Sequence, residues 1–455
     1  ETCNVFTRIQ LALFGAGPWS GVPVMPPELI LAPTWFPIHL GKMSYWARTV
    51  IVPLLVLCAL KPRARNPRGV FVPELFSGRE AGLTSQAAHV SKTWKIGFEA
   101  LDRLLKWGDG LWPSKLRRRS IERCVAWVEE RLNGEDGLGA IYPAMANSVM
   151  MFAALGYSPD HPARAIARKS IENLLVVKED EAYCQPCVSP IWDTALAAHA
   201  MIEVGSDEAL GCAAQALDWL QPRQVLDVAG DWTDLRPDVR PGGWAFQYNN
   251  PHYPDLDDTA VVAMAMDRFR DRSGGAFDNA VDRAREWIDG LQSRNGGWGA
   301  FDADNDKYYL NNLPFADHGA LLDPPTADVS ARCVSLWAQM GEPLDSPRMK
   351  AALAYLEREQ EPDGSWFGRW GVNYIYGTWS VLCALGALGV SGDHPMVKKA
   401  SDWLVSIQNA DGGWGESCDS YALDRQRHEP CASTASQTAW AVLGLMAAGE
   451  VSSKA

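Results

Sequence analysis

The stretch Asp255-Leu256-Asp257-Asp258 places three carboxylates within four positions, and the apolar segment Thr259 to Met266 follows it directly. Carboxyl groups this close to one another and to apolar surface cannot all ionise cheaply. At least one of them is therefore expected to keep its proton near neutral pH. A carboxyl group that holds a proton and can release it is a Brønsted acid, so the spacing indicates proton donation.

Helix capping and metal binding would use the same acidic residues. Acidic side chains favour the N-terminus of a helix, so Asp255 could cap the helix that the apolar segment predicts. Clustered carboxylates also suit a hard divalent cation. The stretch by itself leaves capping, metal binding and proton donation open.

Length, charge and cysteine usage exclude several classes of protein. The chain has 455 residues, of which 47% are hydrophobic, so it can bury large cores in two or three domains. Its formal net charge is -13, and it lacks a basic tract interleaved with aromatic residues, which argues against a nucleic-acid partner. The ten cysteines are scattered, and Cys184 and Cys187 form a lone CxxC pair. We expect free thiols and no zinc centre.

The sequence predicts no membrane span. Its most apolar stretch, Val50 to Leu60, is too short to cross a bilayer and contains Pro53. A secretory signal consists of a basic region, an apolar stretch and a cleavage site in that order. The first residues of the sequence do not have this pattern, so no secretory signal is predicted. The segment Pro62 to Pro73 mixes basic and apolar residues outside any regular period, which fits a membrane-surface patch or an ordinary connector.

One pattern recurs along the chain: an amphipathic segment with Trp or Tyr, then Gln, then a turn ending in Gly-Gly-Trp or Gly-Ser-Trp. A second segment, rich in small and apolar residues, follows most copies. Units of roughly 50 to 70 residues, each a pair of helices, predict a helical repeat array, and an array that closes on itself is an α/α barrel. The copies are Trp219…Gln224…Trp244, Trp287…Gln292…Trp298, Tyr355…Gln360…Trp366 and Trp403…Gln408…Trp414.

The repeated Gln and Trp residues are interpreted as structural. A Trp ring can pack on the preceding outer helix, while Gln bonds to backbone groups at helix ends and ties neighbouring units together. The inner helices of such an array would be apolar throughout and the outer helices amphipathic. The sequence has this alternation.

The acidic stretch continued by Thr259-Ala260, the repeated Gln…Gly-x-Trp units and the segment Gly364 to Tyr374 together resemble the bacterial squalene–hopene cyclases. The resemblance covers essentially the whole chain. It implies an all-α fold of two α/α barrels built from helical-pair repeats, with residues 1–190 as an inserted barrel and 191–455 as the catalytic barrel. It also implies an internal fragment lacking both ends, since the family's first helices and its C-terminal aromatic stretch find no match in a chain that starts without Met.

The resemblance assigns the donated proton to Asp257. Asp255 and Asp258 would hold the hydrogen-bond network and complement the developing positive charge. Some family members pair the donor with His, whereas this chain has Arg332 at that place. A permanent cation there would stabilise the Asp257 carboxylate and make the residue a stronger acid.

Further positions match the family's proton relay and substrate pocket. Asp328 and Tyr376 match residues that return a proton through water. The substrate becomes a carbocation that must be shielded from water, and aromatic faces attract a cation without readily trapping it. The pocket positions carried over by local sequence are Trp46, Trp192, Phe246, Phe301, Phe315 and Trp370, with Ile141 as an apolar wall.

The implied activity is the proton-initiated cyclisation of squalene to hopene or hopanol, without a metal, nucleotide or redox cofactor. Because squalene is almost insoluble in water, a monotopic protein would collect it from a membrane lipid surface, on the cytoplasmic side of the bacterial inner membrane. A homodimer would fit the family. The alternatives are another protonation-initiated terpene cyclase with a different prenyl substrate, a prenyltransferase subunit, which would need a zinc site, and an inactive membrane-associated fragment.

Overall fold

The computed structural model describes residues 4–75, 90–316, 320–422 and 426–450. Within these ranges helices dominate, and the only sheet is one antiparallel pair of short strands. The prediction of an all-α fold is confirmed. The chain divides into two compact units, the first formed by Glu1–Val188 with Asp306–Leu322 and the second by Ser189–Asn305 with Asp323–Ala455.

The first unit is built around helix α2, which is apolar over most of its length. Helix α2 contacts α4 and α5, and most of its residues are buried. No helix in the part of the chain that the structure describes has the length and apolar character of a membrane span. The elements of this unit are α1 (Val5–Leu13), α2 (Tyr45–Leu60), α3 (Lys92–Gly108), α4 (Ser114–Glu130), α5 (Tyr142–Ala154), α6 (Pro162–Asn173), β1 (Leu175–Val177) and β2 (Ala182–Cys184).

The second unit is a row of helix pairs. Its elements are α7 (Pro190–Val204), α8 (Asp207–Leu220), α9 (Leu256–Arg268), α10 (Arg270–Ser273), α11 (Asp278–Gly290), α12 (Ala327–Gln339), α13 (Pro347–Arg358), α14 (Tyr374–Ala387), α15 (Pro395–Ser406) and α16 (Ala435–Ala447). Helices α7, α9, α12, α14 and α16 contact one another in chain order. Helix α11 packs against α9 and α13 against α12, while α8 contacts both α7 and α9 and α15 contacts both α14 and α16.

Burial alternates along the second unit in the way that the sequence predicts. In α9 every residue from Leu256 to Ala263 is buried, and α12 and α14 are buried over most of their length. Helix α11, by contrast, buries a stripe that includes Ala284, Trp287 and Ile288 and exposes the rest. A helix that is covered on all sides must be apolar on all sides, whereas an outer helix needs only one apolar stripe.

The repeated Gln and Trp residues connect neighbouring helix pairs. The Trp366 indole N–H donates to the carbonyl oxygen of Leu356, near the end of α13, at 2.7 Å. The Gln360 amide donates to the carbonyl oxygens of Gly364 and of Met396, the latter at the start of α15, both at 2.9 Å. The structural interpretation of these residues is confirmed. The same hydrogen bonds recur at Gln224 and Trp244 and at Gln292 and Trp298. Gln408 and Trp414 form only the two bonds that lie within a single repeat, to Gly412 and Leu404.

Replacing Gln360 with Ala is expected to lower the free energy of unfolding by about 1–3 kcal/mol, because two partly buried carbonyl groups lose their donor. The midpoint of urea-induced unfolding measures this change. Gln215, exposed on α8, is the matched control, and its replacement by Ala should change stability by less than about 0.5 kcal/mol. Equal effects of the two substitutions would contradict the connecting role.

Candidate active site

Asp255 caps helix α9. Its side-chain oxygen Oδ1 accepts the backbone N–H of Asp258 at 2.7 Å, and its own N–H donates to the carbonyl oxygen of Trp244 at 2.9 Å. A carboxylate at this position satisfies an N–H group that the helix itself leaves without a partner. Helix capping and proton donation are therefore compatible, because different residues carry them. Asp255 forms the cap, and the side chain of Asp257, in the first turn of α9, takes no part in it.

Asp257 forms a buried ion pair with Arg332. The Arg332 Nε atom, on α12, lies 3.0 Å from Asp257 Oδ1, and both side chains are nearly inaccessible. Burial raises the pKa of Asp257 above its usual value, while the charge of Arg332 opposes the rise. A carboxyl group in this setting gains its proton more readily than an exposed aspartate, and its conjugate base has a fixed cation beside it.

Aromatic rings surround the other faces of Arg332. Its Nη2 donates to the hydroxyl oxygen of Tyr376 at 3.2 Å. The guanidinium carbon lies 5.5 Å from the ring centre of Trp192 and 5.1 Å from that of Trp379. A guanidinium group between aromatic faces is held in place without a second carboxylate. Burial also raises the pKa of Tyr376, so its phenol stays neutral and can donate or accept a hydrogen bond.

Asp255 and Asp258 form an acidic pair at the start of α9. Both side chains are buried, and Asp255 Oδ2 and Asp258 Oδ1 have no hydrogen-bond partner among the described residues. Burial raises the pKa of both carboxyl groups, and the charge of Asp255 raises the pKa of Asp258 further. The pair therefore keeps a proton near neutral pH, and Asp258 is the favoured holder.

Asp328 is fully engaged with the backbone. Its Oδ2 accepts the N–H groups of Arg369 and Trp370 at 2.8 and 2.9 Å, and its Oδ1 accepts the N–H of Val329 at 3.0 Å. Asp328 lies on α12 one turn before Arg332, so the two side chains share a helix face. This contact connects the helix of the ion pair to the loop that carries Trp370.

The aromatic residues predicted for the pocket divide between the two units. In the second unit, Phe301 and Trp370 pack edge to face with ring centres 5.9 Å apart, and Trp370 remains 43% exposed. Phe246 is half-buried, and its carbonyl oxygen accepts the backbone N–H of Ile191, next to Trp192, at 3.4 Å.

Three predicted pocket residues lie in the first unit. The Trp46 indole N–H donates to the carbonyl oxygen of Ala320 at 2.8 Å. Trp46, Ile141 and Phe315 are partly buried against the core of that unit. The second unit therefore brings Asp257, Trp192 and Tyr376 around Arg332 and packs Phe301 against Trp370. The catalytic and pocket roles of all the predicted residues stay predictions.

Two aromatic residues of the site were not predicted from the sequence. Trp379 and Trp440 stack with ring centres 5.9 Å apart, and the Tyr376 ring packs edge-on against them at 5.2 and 4.9 Å. The spacing of Tyr376 and Trp379, three residues apart on one helix, could have indicated their shared face. Nothing local to Trp440 places it there, because α16 reaches the site only through tertiary packing.

The arrangement can protonate a carbon atom and shelter a cation. It offers a buried carboxyl group of raised pKa, a cation beside its conjugate base, and several aromatic faces close by. Within the described ranges, no group of three or more His, Cys, Asp or Glu side chains has the arrangement of a metal site.

Comparison with known proteins identifies the family. Residues 1–180 match the model for the squalene-hopene cyclase N-terminal domain, and residues 188–455 match the model for its C-terminal domain. The squalene–hopene cyclase of Zymomonas mobilis is 62% identical over 99% of this chain, which spans 70% of that protein. Those of Bradyrhizobium diazoefficiens and, described as probable, of Sinorhizobium fredii are each 60% identical over 98% of this chain, which spans 68% and 70% of their lengths. The chain belongs to the squalene–hopene cyclase family.

Proposed function

We propose that the protein cyclises squalene to hopene, hopanol or both, starting from a proton on Asp257. The observation that carries the proposal is the buried contact of Asp257 with Arg332, 3.0 Å from the carboxyl oxygen. Family membership supplies the substrate class, since the relatives are named as squalene–hopene cyclases. Asp255, Asp258, Asp328 and Tyr376 complete the proposed catalytic set.

The first step transfers one proton to an alkene. The O–H bond of Asp257 breaks, and the proton forms a C–H bond with the terminal alkene of squalene, whose π electrons supply the bond. A tertiary carbocation and the Asp257 carboxylate remain. Arg332 stabilises that carboxylate without accepting a proton, since guanidinium groups stay charged. The acidic pair Asp255 and Asp258 adds negative potential, which favours the developing cation.

Ring closure then moves the positive charge along the chain. Each alkene in turn attacks the cation, and loss of a proton ends the sequence as hopene, while capture of water ends it as hopanol. We assign Trp192, Phe246, Phe301 and Trp370 to the wall that faces these cations, because aromatic faces stabilise positive charge without forming a bond to it. Trp46, Ile141 and Phe315 are proposed to complete the wall from the first unit.

The donor must regain a proton after each turnover. The proposed route runs through water to Tyr376, whose neutral hydroxyl is bonded to Arg332 at 3.2 Å, and Asp328 is its other candidate member. A neutral phenol can pass a proton by accepting one and releasing another.

We further propose that residues 1–190 and 191–455 form two α/α barrels, as the family resemblance implies, and that two copies of the chain associate.

The first unit carries features that suit an apolar substrate taken from a lipid surface. A cavity of about 290 Å³ is lined almost wholly by apolar side chains, among them Met25, Met43, Phe98 and Phe315. The broken segment Pro23 to Pro37 contributes much of that lining. We propose this cavity as part of the path that squalene follows.

Helix α3 is the proposed membrane contact. Its residues Ile96, Ala100, Leu104 and Trp107, with Leu111 beyond it, recur every three or four positions and are all exposed. Trp107 exposes 76% of its surface and Leu104 exposes 61%. An exposed apolar stripe of helical period is typical of a helix lying in a bilayer interface. We place this interface on the cytoplasmic side of the inner membrane, following the resemblance.

Replacing Leu104 and Trp107 together with Glu is expected to reduce vesicle binding at least about tenfold, because two side chains that would enter the interface become charged. Co-sedimentation with phosphatidylglycerol and phosphatidylcholine vesicles measures the bound fraction. Val204→Glu, another exposed apolar residue, on α7, is the matched control. Unchanged binding of the double variant would rule out this stripe as the contact.

The proposed function is tested by incubating detergent-solubilised protein with squalene in ordinary water and in deuterium oxide. The expected product is a pentacyclic isomer of squalene, or its hydrate, seen by mass spectrometry. In deuterium oxide each hopene molecule should gain one carbon-bound deuterium, because the initiating proton exchanges with solvent between turnovers. Products from a shorter prenyl chain, with none from squalene, would indicate a different substrate within the same mechanism. No cyclised product from any polyprene would refute the function.

A further inference from the structure

Three consecutive backbone N–H groups converge on Asp323. Its Oδ2 accepts the N–H groups of Phe301 and Asp302 at 2.6 and 2.9 Å, and its Oδ1 accepts the N–H of Ala300 at 3.1 Å. The Asp323 side chain is fully buried. A buried carboxylate that receives three N–H groups holds the donating backbone in one conformation, since any shift would leave a buried polar group without a partner.

The backbone held by Asp323 carries a wall of the site. Phe301 is the middle residue of the three, and its ring packs edge to face on Trp370 at 5.9 Å. The same backbone also contacts helix α9, because the carbonyl oxygen of Ala300 accepts the N–H of Leu256, next to Asp257, at 2.7 Å. Asp323 thus fixes a segment that carries the Phe301 ring and is hydrogen-bonded to the start of the helix that bears Asp257.

A second buried aspartate holds the backbone of Trp370 in a similar way. Asp328 accepts the N–H groups of Arg369 and Trp370, and so fixes the backbone from which the Trp370 ring projects. Burial raises the pKa of Asp323, and the positive charge of Arg369 opposes that rise.

We infer that Asp323 is a positioning residue that fixes Phe301 against Trp370 and thereby determines how many rings close before the cation is lost; this inference rests on the proposed function. A cation that must remain against an aromatic face through successive closures is sensitive to small displacements of that face. Loss of the anchor lets the wall move, and the cation is deprotonated or captured early.

Asp323→Asn tests the inference. An amide offers one oxygen acceptor and one N–H₂ donor, so at least one of the three backbone N–H groups must face a donor. The expected result is a rise of about tenfold in the ratio of one- to three-ring products to five-ring products, while total squalene consumption falls less steeply. Phe301→Ala should shift the products in the same direction. A folded Asp323→Asn protein with the ratio of the unaltered chain would overturn the inference.

Arg369→Gln provides an independent variant, because it removes a positive charge that favours the Asp323 carboxylate and keeps all three N–H bonds. A smaller shift to early products supports the inference, and an unchanged ratio counts against it if Asp323→Asn does not fold. Asp271→Asn, at an exposed position of α10, is the control that should leave the ratio unchanged.

Hydrogen exchange separates this inference from the proposed function. If the unaltered chain makes no cyclised product, the proposed function fails. The positioning role then stands if the amides of residues 300–302 exchange faster in the Arg369→Gln or Asp323→Asn protein than in the unaltered chain. It falls if those amides stay equally protected.

Discussion

The Asp257→Asn variant is expected to cyclise squalene about 10⁴-fold more slowly than the unaltered chain, at the upper end of what a general acid contributes. An amide cannot protonate an alkene, and no nearby group can substitute for it. Burial raises the pKa of both Asp258 and Tyr376, which makes each of them a weaker acid than it would be in water. Product formation per unit time, measured by mass spectrometry in detergent, gives the ratio.

Two further variants make the Asp257 result specific. Asp271→Asn, at an exposed position of α10, should keep full activity, since it lies outside the site. Asp258→Asn should reduce activity less than Asp257→Asn, because it removes negative potential and a shared proton but leaves the Asp257–Arg332 contact. If Asp258→Asn proved the more damaging of the two, with both proteins folded, the donor would have to be reassigned to the acidic pair.

The features that the sequence predicted well are those with local causes. Helix pairing follows from alternating burial, and the Gln and Trp contacts recur because each repeat presents the same residues at the same spacing. The capping role of Asp255 was also readable, since Asp before an apolar helix satisfies a free backbone N–H. Periodicity and capping each involve residues a few positions apart, which is why a single sequence reveals them.

Contacts between residues far apart in the chain do not follow from spacing: the family resemblance named Arg332, Trp192 and Tyr376, and nothing in the sequence named Trp379 or Asp323. The Arg332 side chain lies among Trp192, Tyr376 and Trp379, and these four residues come from three helices of the row. Asp323 precedes two prolines and resembles an ordinary turn residue, yet it accepts N–H groups more than twenty positions earlier. Helix packing brings these distant residues together, and the spacing of residues in a single sequence does not reveal how helices pack.

In the pair of Arg332 and Asp257, only Asp257 can change its protonation state at accessible pH. Guanidinium stays charged at all accessible pH values, so the pH dependence of the protonation step belongs to Asp257. Activity requires protonated Asp257, and it should therefore fall as pH rises through the pKa of that residue. Burial places this pKa above the usual value for aspartate, while Arg332 restrains the rise.

The Arg332→Met variant is accordingly expected to change both the height and the position of the pH profile. Its maximal rate should fall about 10²- to 10³-fold, because the Asp257 carboxylate forms without a cation at 3.0 Å to stabilise it. The midpoint of the alkaline loss should move to higher pH, since removing the cation lets burial raise the pKa of Asp257 further. Arg332→Lys, which keeps the charge, should shift the midpoint less. Initial rates measured across a pH series give both the maximal rate and the midpoint. A midpoint that moved to lower pH in Arg332→Met would contradict the pairing. A cation that stabilises the Asp257 carboxylate lowers the pKa of that residue, so its removal must raise the pKa.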